Sequence, residues 1–239
     1  MSAAASEDRA PLRALILQHE QPTPPGHVIE WLKGHGAEME ILRIDLVEPQ
    51  VHMGDYDLIV SLGSEFAAYD DSHDFVTREA DLMRRALDED VPILGLCFGG
   101  QMLARVLGGE VYKGTDSEIG WLPVRTTDPE LIPEGPWFQW HFDVITAPPS
   151  ATVIAETDLG TQAFVSGRNL GLQFHPEVTP EIMDDWVRTY RHELDAEGID
   201  PEGLLEETNR QAQEHKATSW TLLDGYLDRV AKLGTRAAT

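Results

Sequence analysis

The first half of the chain alternates short apolar runs with segments whose apolar residues recur at helical spacing. The apolar runs predict buried strands at residues 12–18, 39–44, 56–62 and 91–96. Helical spacing predicts helices at residues 28–34, 75–87 and 99–107, with Asp74 as the N-cap of the second. This regular alternation predicts the α/β fold class, with a doubly wound, mostly parallel sheet and flanking helices.

Beyond residue 109 the pattern changes. Short strand-like runs separated by turns predict an antiparallel extension, with strands at residues 110–112, 120–125, 137–141, 153–155, 163–165 and 170–174. Three helical patterns follow. Thr179 with Pro180 marks the start of the first, Asp200 with Pro201 that of the second, and Ser219 is the candidate N-cap of the third.

These patterns predict two units, a catalytic domain at residues 12–195 and a C-terminal helical extension at residues 196–239. The last helix has an apolar stripe that must be covered, formed by Leu223, Tyr226, Leu227, Val230 and Leu233. The sequence leaves two alternatives for this stripe, which are packing on its own domain and a homodimer contact.

The composition limits the function classes. With 239 residues, 41% of them hydrophobic, the chain can bury a sizeable core, but its net charge of −24 disfavours nucleic acid and anionic membranes as partners. No apolar run is long enough to span a membrane, and residues 1–11, expected to form a loose tail, lack the apolar stretch of a signal peptide. One cysteine excludes a disulfide framework, and we expect a cytoplasmic protein.

Residues 91–101 carry the clearest chemical signal, because an apolar run there ends at the only cysteine, Cys97. Gly95 and Gly99 lie two residues on either side, which allows a sharp strand-to-helix turn, a nucleophile elbow. The helix that is predicted to begin near Phe98 favours a thiolate, and we expect the Phe98 N–H to point towards an oxyanion formed beside the sulfur. A buried structural cysteine beside a flexible turn is the alternative interpretation.

A base for this cysteine is predicted at the end of the run 170–174. Pro176 keeps His175 extended, and residues two apart in an extended segment project to the same side, so His175 and Glu177 should be neighbours. The carboxylate can then fix the imidazole tautomer and leave the other nitrogen for a thiol. A histidine with a purely structural partner is the alternative, which the presence of Cys97 disfavours.

The two segments together resemble the class I (triad-type) glutamine amidotransferases. The resemblance lies in residues 95–101, Gly-Leu-Cys-Phe-Gly-Gly-Gln, and residues 173–177, Gln-Phe-His-Pro-Glu, and it covers most of the chain. It implies a flavodoxin-like fold of the class I glutamine amidotransferase type and hydrolysis of the glutamine side-chain amide through a γ-glutamyl thioester. It also implies Cys97 as nucleophile, His175 as general acid/base and Glu177 as its orienter, with no cofactor and no metal.

The same resemblance implies further site residues. Gln101 is similar to a substrate contact, and Gly63 to the second oxyanion donor beside Phe98. The sequence departs from the family here, because Leu62-Gly63-Ser64 stands where Gly-Gly-Pro is common.

Two further segments resemble family segments. Glu118, Ile119 and Gly120 are candidate substrate contacts, with a simple strand start as the alternative. His141 could be mistaken for a base, but we expect Asp143 to hold it in a structural hydrogen-bond pair.

The resemblance implies a free-standing glutaminase-type hydrolase, similar to the glutaminase part of GMP synthetase. Its implied partners are glutamine or another γ-glutamyl compound and an ammonia-accepting synthetase supplied as a separate chain. A γ-glutamyl peptidase or transferase would use the same triad, and a catalytically inactive interaction subunit is the alternative from another class.

Overall fold

An eight-stranded mixed sheet organises residues 10–234, the part of the chain that the computed structural model describes. In sheet order the strands are β2 (Glu38–Arg43), β1 (Arg13–Gln18), β3 (Leu58–Ser61), β4 (Ile93–Leu96), β10 (Asn169–Leu172), β9 (Thr161–Ser166), β8 (Thr152–Glu156) and β6 (Arg125–Thr126). The first five are parallel and the remaining three antiparallel to their neighbours. The predicted α/β class and mostly parallel sheet are confirmed. Except for residues 10 and 11, the predicted tail lies outside the described residues.

Helices cover both faces of this sheet. In chain order, the α-helices of residues 10–234 are α1 (His27–Gly34), α2 (Asp74–Asp88), α3 (Phe98–Val106), α4 (Pro180–Thr189), α5 (Arg191–Glu197) and α6 (Pro201–Gly225). Alternate residues of β1 face opposite ways, so Leu15 and Leu17 pack with α2 and α3, whereas Ala14 and Ile16 pack with α1 and α6. Each face is therefore buried, as a continuous apolar strand requires.

A separate two-stranded sheet, β5 (Glu110–Leu122) with β7 (Trp137–Thr146), forms the antiparallel extension. The sequence predicted separate strands at residues 110–112 and 120–125, which was wrong in part. One strand runs through, and an irregular register between Lys113 and Glu118 interrupts its pairing with β7. The polar residues of this irregular stretch hid the strand's continuity from the hydrophobic pattern.

The predicted helix starts after residue 178 are confirmed at two positions of three. The Thr179 hydroxyl accepts a hydrogen bond from the Ile182 N–H, and the Asp200 carboxylate accepts from the second and third helical N–H groups. Ser219 as an N-cap was wrong, because it is buried inside the continuous helix α6. Asp74 as an N-cap was also wrong, because it is the first residue of α2, after His73.

The C-terminal apolar stripe packs on its own domain. Helix α6 continues into a π-helical turn, Tyr226–Val230, and the stripe residues share one cluster with β1, β3 and β4. Asp224 accepts hydrogen bonds from the ring nitrogens of Trp31 and His35, each at 2.8 Å. The boundary between residues 195 and 196 stays a prediction. No helix in residues 10–234 is both long and apolar enough to cross a membrane.

A buried histidine, His215, lies where α6 meets the two-stranded sheet. Its ring centroid is 4.8 Å from that of Trp121 and 5.8 Å from those of Trp137 and His27. Burial, followed by repulsion from His27, lowers the pKa of His215 from 6.5 to about 3. The neutral imidazole is therefore the form that the folded protein tolerates.

We expect acid to destabilise the fold through His215. The unfolded chain takes up this proton near 6.5 and the folded chain only near 3, so the unfolded state binds more protons between these values. The contribution of neutral His215 to the free energy of unfolding is fully present above about pH 6.5 and falls by about 1.4 kcal/mol per pH unit below it. We expect the free energy of unfolding, measured with urea, to fall between about pH 7 and about pH 5 by about 2 kcal/mol less in His215→Gln than in wild type. His52→Gln, at an exposed histidine, is the control. An equal fall in the free energy of unfolding in all three proteins would assign the acid effect to another group.

Candidate active site

Cys97 lies at the predicted turn between β4 and α3. Its backbone has φ 50° and ψ −107°, a strained conformation for a residue with a side chain, and it forms the N-cap position of α3. The glycines on either side are required by space. A Cβ on Gly95 would lie 2.4 Å from the Gly99 carbonyl oxygen, and one on Gly99 would lie 2.3 Å from that of Ser61. The turn therefore holds the thiol at the carboxyl edge of the sheet, where parallel α/β sheets bind ligands.

His175 and Glu177 form the predicted pair just beyond β10. Nδ1 of His175 lies 2.7 Å from Oε1 of Glu177, and both side chains are at least 97% buried. Because β10 pairs with β4 in parallel, with Leu172 opposite Leu96, His175 and Cys97 emerge from neighbouring strands. Distant parts of the sequence thus meet at one edge.

Gly63 shows how closely the three segments converge. A Cβ on Gly63 would lie 3.1 Å from Cε1 of His175 and 3.7 Å from Cβ of Cys97. Burial by itself would lower the pKa of His175, but Glu177 and then Cys97 outweigh it and raise the pKa from 6.5 to about 10. Nε2 of His175 has no hydrogen-bond partner of ordinary geometry within residues 10–234. The thiol is the acidic group available to this nitrogen.

The two predicted oxyanion donors belong to segments that meet at Cys97. Phe98 is the first residue of α3, whose leading N–H groups have no partner within the helix. Gly63 follows β3, the strand beside β4, and lines the same cavity as Cys97. Their roles as donors stay a prediction.

Gln101 lines the cavity and is 4% exposed, and its role as a substrate contact stays a prediction. Its side-chain amide donates to Oε1 of Gln173 at 3.3 Å, and the Gln173 amide donates to the Cys97 sulfur at 3.7 Å. We did not select Gln173 as a site residue from the sequence. The signal was available, because Gln173 lies two residues before His175 and so projects to the same side.

Glu118, Ile119 and Gly120 are not among the described residues that line the cavity. Glu118 accepts hydrogen bonds from Thr157 and Gln162, and Ile119 and Gly120 pair with β7. Their role as substrate contacts stays a prediction that this geometry does not support.

His141 is held in a structural hydrogen bond by Asp143, as expected, although through the Asp143 backbone carbonyl, and Glu118 is a second partner. Its Nε2 lies 3.1 Å from the Glu118 carboxylate, and its Nδ1 donates to the backbone carbonyl of Asp143. The Asp143 carboxylate instead accepts a hydrogen bond from the Tyr69 hydroxyl.

The cavity above Cys97 has a volume of about 280 Å³. Aromatic side chains form much of its wall, namely Phe66, Tyr69, Trp140, Phe142, Trp186 and Tyr190. Glu65, Asp143 and Glu193 supply carboxylates to the lining, and Lys113 supplies a cationic side chain. The Tyr190 hydroxyl is buried and lacks a hydrogen-bond partner within residues 10–234. Such a mixed cavity can hold a small polar substrate against the thiol.

A family model described as glutamine amidotransferase class-I matches residues 27–188. With more than half of the chain covered, this protein belongs to the class I glutamine amidotransferase family, which confirms the resemblance in the sequence. The fold agrees with a crystal structure of a glutamine amidotransferase from Thermotoga maritima. The TM-score is 0.85 at 31% identity, over 92% of this chain and 100% of that one.

Within the family, the chain is similar to glutamine-hydrolysing GMP synthases. It is 35% identical over 153 residues to GMP synthase of Thermus thermophilus, which is 58% of this chain but 30% of that protein. It is 34% identical over 144 residues to one subunit of the glutamine-hydrolysing GMP synthase of Sulfurisphaera tokodaii, which is 55% of this chain and 72% of that protein. The chain therefore spans less than a third of the first relative and most of the second.

Proposed function

We propose that this chain hydrolyses the side-chain amide of glutamine and releases ammonia, with Cys97 as the nucleophile. The observation that carries the proposal is the meeting of Cys97, Gly63 and His175 on one cavity, with Glu177 behind the imidazole. Names of the relatives support glutamine as the substrate, since both are described as glutamine-hydrolysing.

The first half of the reaction forms a thioester. The sulfur attacks the amide carbon, and the carbonyl electrons move onto oxygen, where the Gly63 and Phe98 N–H groups stabilise the negative charge. Collapse of this intermediate breaks the carbon–nitrogen bond, and the proton held by His175 goes to the departing nitrogen. The raised pKa of His175 supports this step, because the imidazole holds its proton at neutral pH until the leaving group needs it.

The second half regenerates the enzyme. With ammonia gone, the now neutral His175 takes a proton from water, which attacks the thioester carbon. A second oxyanion forms in the same place, and its collapse returns the electrons to sulfur and gives glutamate. Glu177 holds the ring in one orientation through both halves, since Nδ1 stays bound to the carboxylate.

We further propose that a separate synthetase takes up the ammonia. One relative is named as a subunit of GMP synthase, so a glutamine-hydrolysing chain of this size can serve a larger assembly. Purification from cell extract with and without cross-linking, followed by glutaminase assays of the isolated chain and the complex, tests this proposal. A bound synthetase that raises glutamine turnover supports it, and a chain with full turnover and no co-purifying synthetase contradicts it.

A γ-glutamyl peptidase is the second candidate, favoured by the aromatic wall of the cavity. Tyr69 is 41% exposed at this wall and Phe66 and Phe142 lie near it, which offers contact to a leaving group larger than ammonia. Steady-state kcat/KM values for glutamine and for γ-glutamyl dipeptides should differ by at least about tenfold in favour of glutamine. A tenfold preference for the dipeptides would replace the glutaminase proposal with the peptidase.

A stoichiometric adduct with an electrophilic glutamine analogue would exclude an inactive scaffold. Intact-mass measurement gives the stoichiometry, and loss of the adduct in Cys97→Ala assigns it to Cys97, the one cysteine of the chain. No adduct and no turnover with either substrate would support the scaffold instead.

A further inference from the structure

A buried chain of hydrogen bonds reaches Gly63 from residues that the cavity does not touch. The Ser61 hydroxyl donates to Oε1 of Glu79 at 2.5 Å, and Oε2 of Glu79 lies 2.5 Å from Nε2 of His19. Nδ1 of His19 lies 3.0 Å from the carbonyl oxygen of Gly63. His19 and Glu79 are completely buried, and neither of them nor Ser61 is among the described residues that line the cavity.

The sheet register brings these residues together. Strands β1 and β3 are parallel, with Leu17 opposite Ser61, so His19 and Gly63 leave the same edge side by side, each two residues further on. Helix α2 places Glu79 on its buried face, next to Ala80. A charged side chain with no solvent contact at such a position is costly unless it is fully paired.

The pairing fixes which atoms carry protons. Burial by itself would lower the pKa of His19, but the attraction of Glu79 outweighs it and raises the pKa above 6.5. A carbonyl oxygen can only accept, so the hydrogen must be on Nδ1 of His19 for this contact to be favourable. The charged pair therefore presents a strong donor to the Gly63 carbonyl.

The hydrogen bond from His19 restrains the backbone at Gly63, which has little conformational restraint of its own because glycine lacks a side chain. On one side of Gly63, the Leu62 carbonyl accepts a hydrogen bond from the Gly99 N–H at 3.0 Å. On the other side, the Gly63 carbonyl is held by His19. Without that second contact, glycine's freedom would let the carbonyl turn towards the cavity, where its partial negative charge would oppose a developing oxyanion.

We propose that His19, held by Glu79 and Ser61, is a positioning residue for the oxyanion donor at Gly63. The inference rests on the proposed function, because it concerns the same acyl-transfer reaction. His19 touches no substrate. Its hydrogen bond keeps the Gly63 carbonyl turned away from the reacting atoms. The N–H of Gly63 then stays turned towards them.

Two substitutions of His19 separate its two contacts. His19→Asn keeps an N–H donor near the position of Nδ1, which faces Gly63, whereas His19→Gln keeps one near the position of Nε2, which faces Glu79. We expect kcat for glutamine to fall about 10- to 100-fold in His19→Gln and less than about threefold in His19→Asn, with KM nearly unchanged in both. The double variant His19→Gln/Glu79→Gln leaves no buried charge, and it should show the loss of His19→Gln if the single variant does not fold.

Alkylation of Cys97 by iodoacetamide distinguishes positioning from general damage. This displacement at a CH2 group develops no oxyanion, so its rate should stay within about twofold of wild type in every folded variant. Wild-type kcat in His19→Gln and in the double variant, an equal loss in His19→Asn, or alkylation that slows in step with kcat would each overturn the inference. Absence of turnover in wild type with both glutamine and γ-glutamyl dipeptides would instead contradict the proposed function itself.

Discussion

Replacing Cys97 by alanine should reduce glutamine turnover by about 10⁴- to 10⁶-fold, because the thioester cannot form without the sulfur. The loss should appear in kcat, measured as ammonia release under saturating glutamine. Substrate affinity should remain, since the remaining lining residues, including Gln101 and Trp140, are untouched. Calorimetric titration of Cys97→Ala with glutamine would measure this affinity directly.

The structure suggests that this variant folds normally. Alanine retains the Cβ, so the strained φ of 50° at position 97 is neither relieved nor worsened. Within residues 10–234, the hydrogen bonds of the 5% exposed thiol to the Trp140 carbonyl and from the Gln173 amide are long, at 3.9 Å and 3.7 Å. The midpoint of urea unfolding should therefore change little. Turnover within about tenfold of wild type in a folded Cys97→Ala protein would show that Cys97 is not the nucleophile and would contradict the proposed mechanism.

Local sequence patterns predicted the parallel half of the fold and the residues at its edge. The elbow at Cys97 was predictable because the need for glycine at positions 95 and 99 follows from space alone, as the distances to Gly99 and Ser61 now show. The pairing of His175 with Glu177 was predictable because Pro176 limits the backbone between them. In each case a steric rule acts over a few residues.

Features that depend on long-range pairing were not predictable in this way. The place of β10 between β4 and β9, parallel to one and antiparallel to the other, cannot be deduced from its four residues, yet it brings His175 to Cys97. Ser219 has the chemistry of a helix N-cap, but its burial in α6 and its position one turn after His215 override that preference. Tertiary packing decided both outcomes.

The network of His19 and Glu79 had a sequence signal that hydrophobic pattern alone does not use. Glu79 interrupts the apolar stripe of α2, between Phe75 and Met83, at a position where a charge needs a buried partner. Its partner follows β1 and lies 60 residues earlier in the chain. A charge on the apolar face of an amphipathic helix is therefore a reason to search the neighbouring strand ends for a histidine or arginine.

Glu177→Gln should lower kcat/KM by about 10²- to 10⁴-fold without removing any group that contacts the substrate. The carboxylate supplies the main attraction that keeps a proton on the buried His175, whose pKa it helps to raise to about 10. Without that charge the pKa of His175 falls, so the imidazole loses its proton at lower pH. A neutral amide can also donate to Nδ1 and stabilise the wrong tautomer, which leaves Nε2 with a hydrogen and unable to accept one.

The pH profile of kcat/KM separates this account from a simple loss of structure. If the protonated His175 is the acid that releases ammonia, activity falls as the pH rises through its pKa, and the alkaline limb of the profile must move to lower pH in Glu177→Gln. Glu181→Gln, which removes an exposed carboxylate four residues later, is the matched control and should keep the wild-type profile. A Glu177→Gln profile lowered uniformly, with its alkaline limb in place, would show that Glu177 shapes the site without setting the protonation of His175.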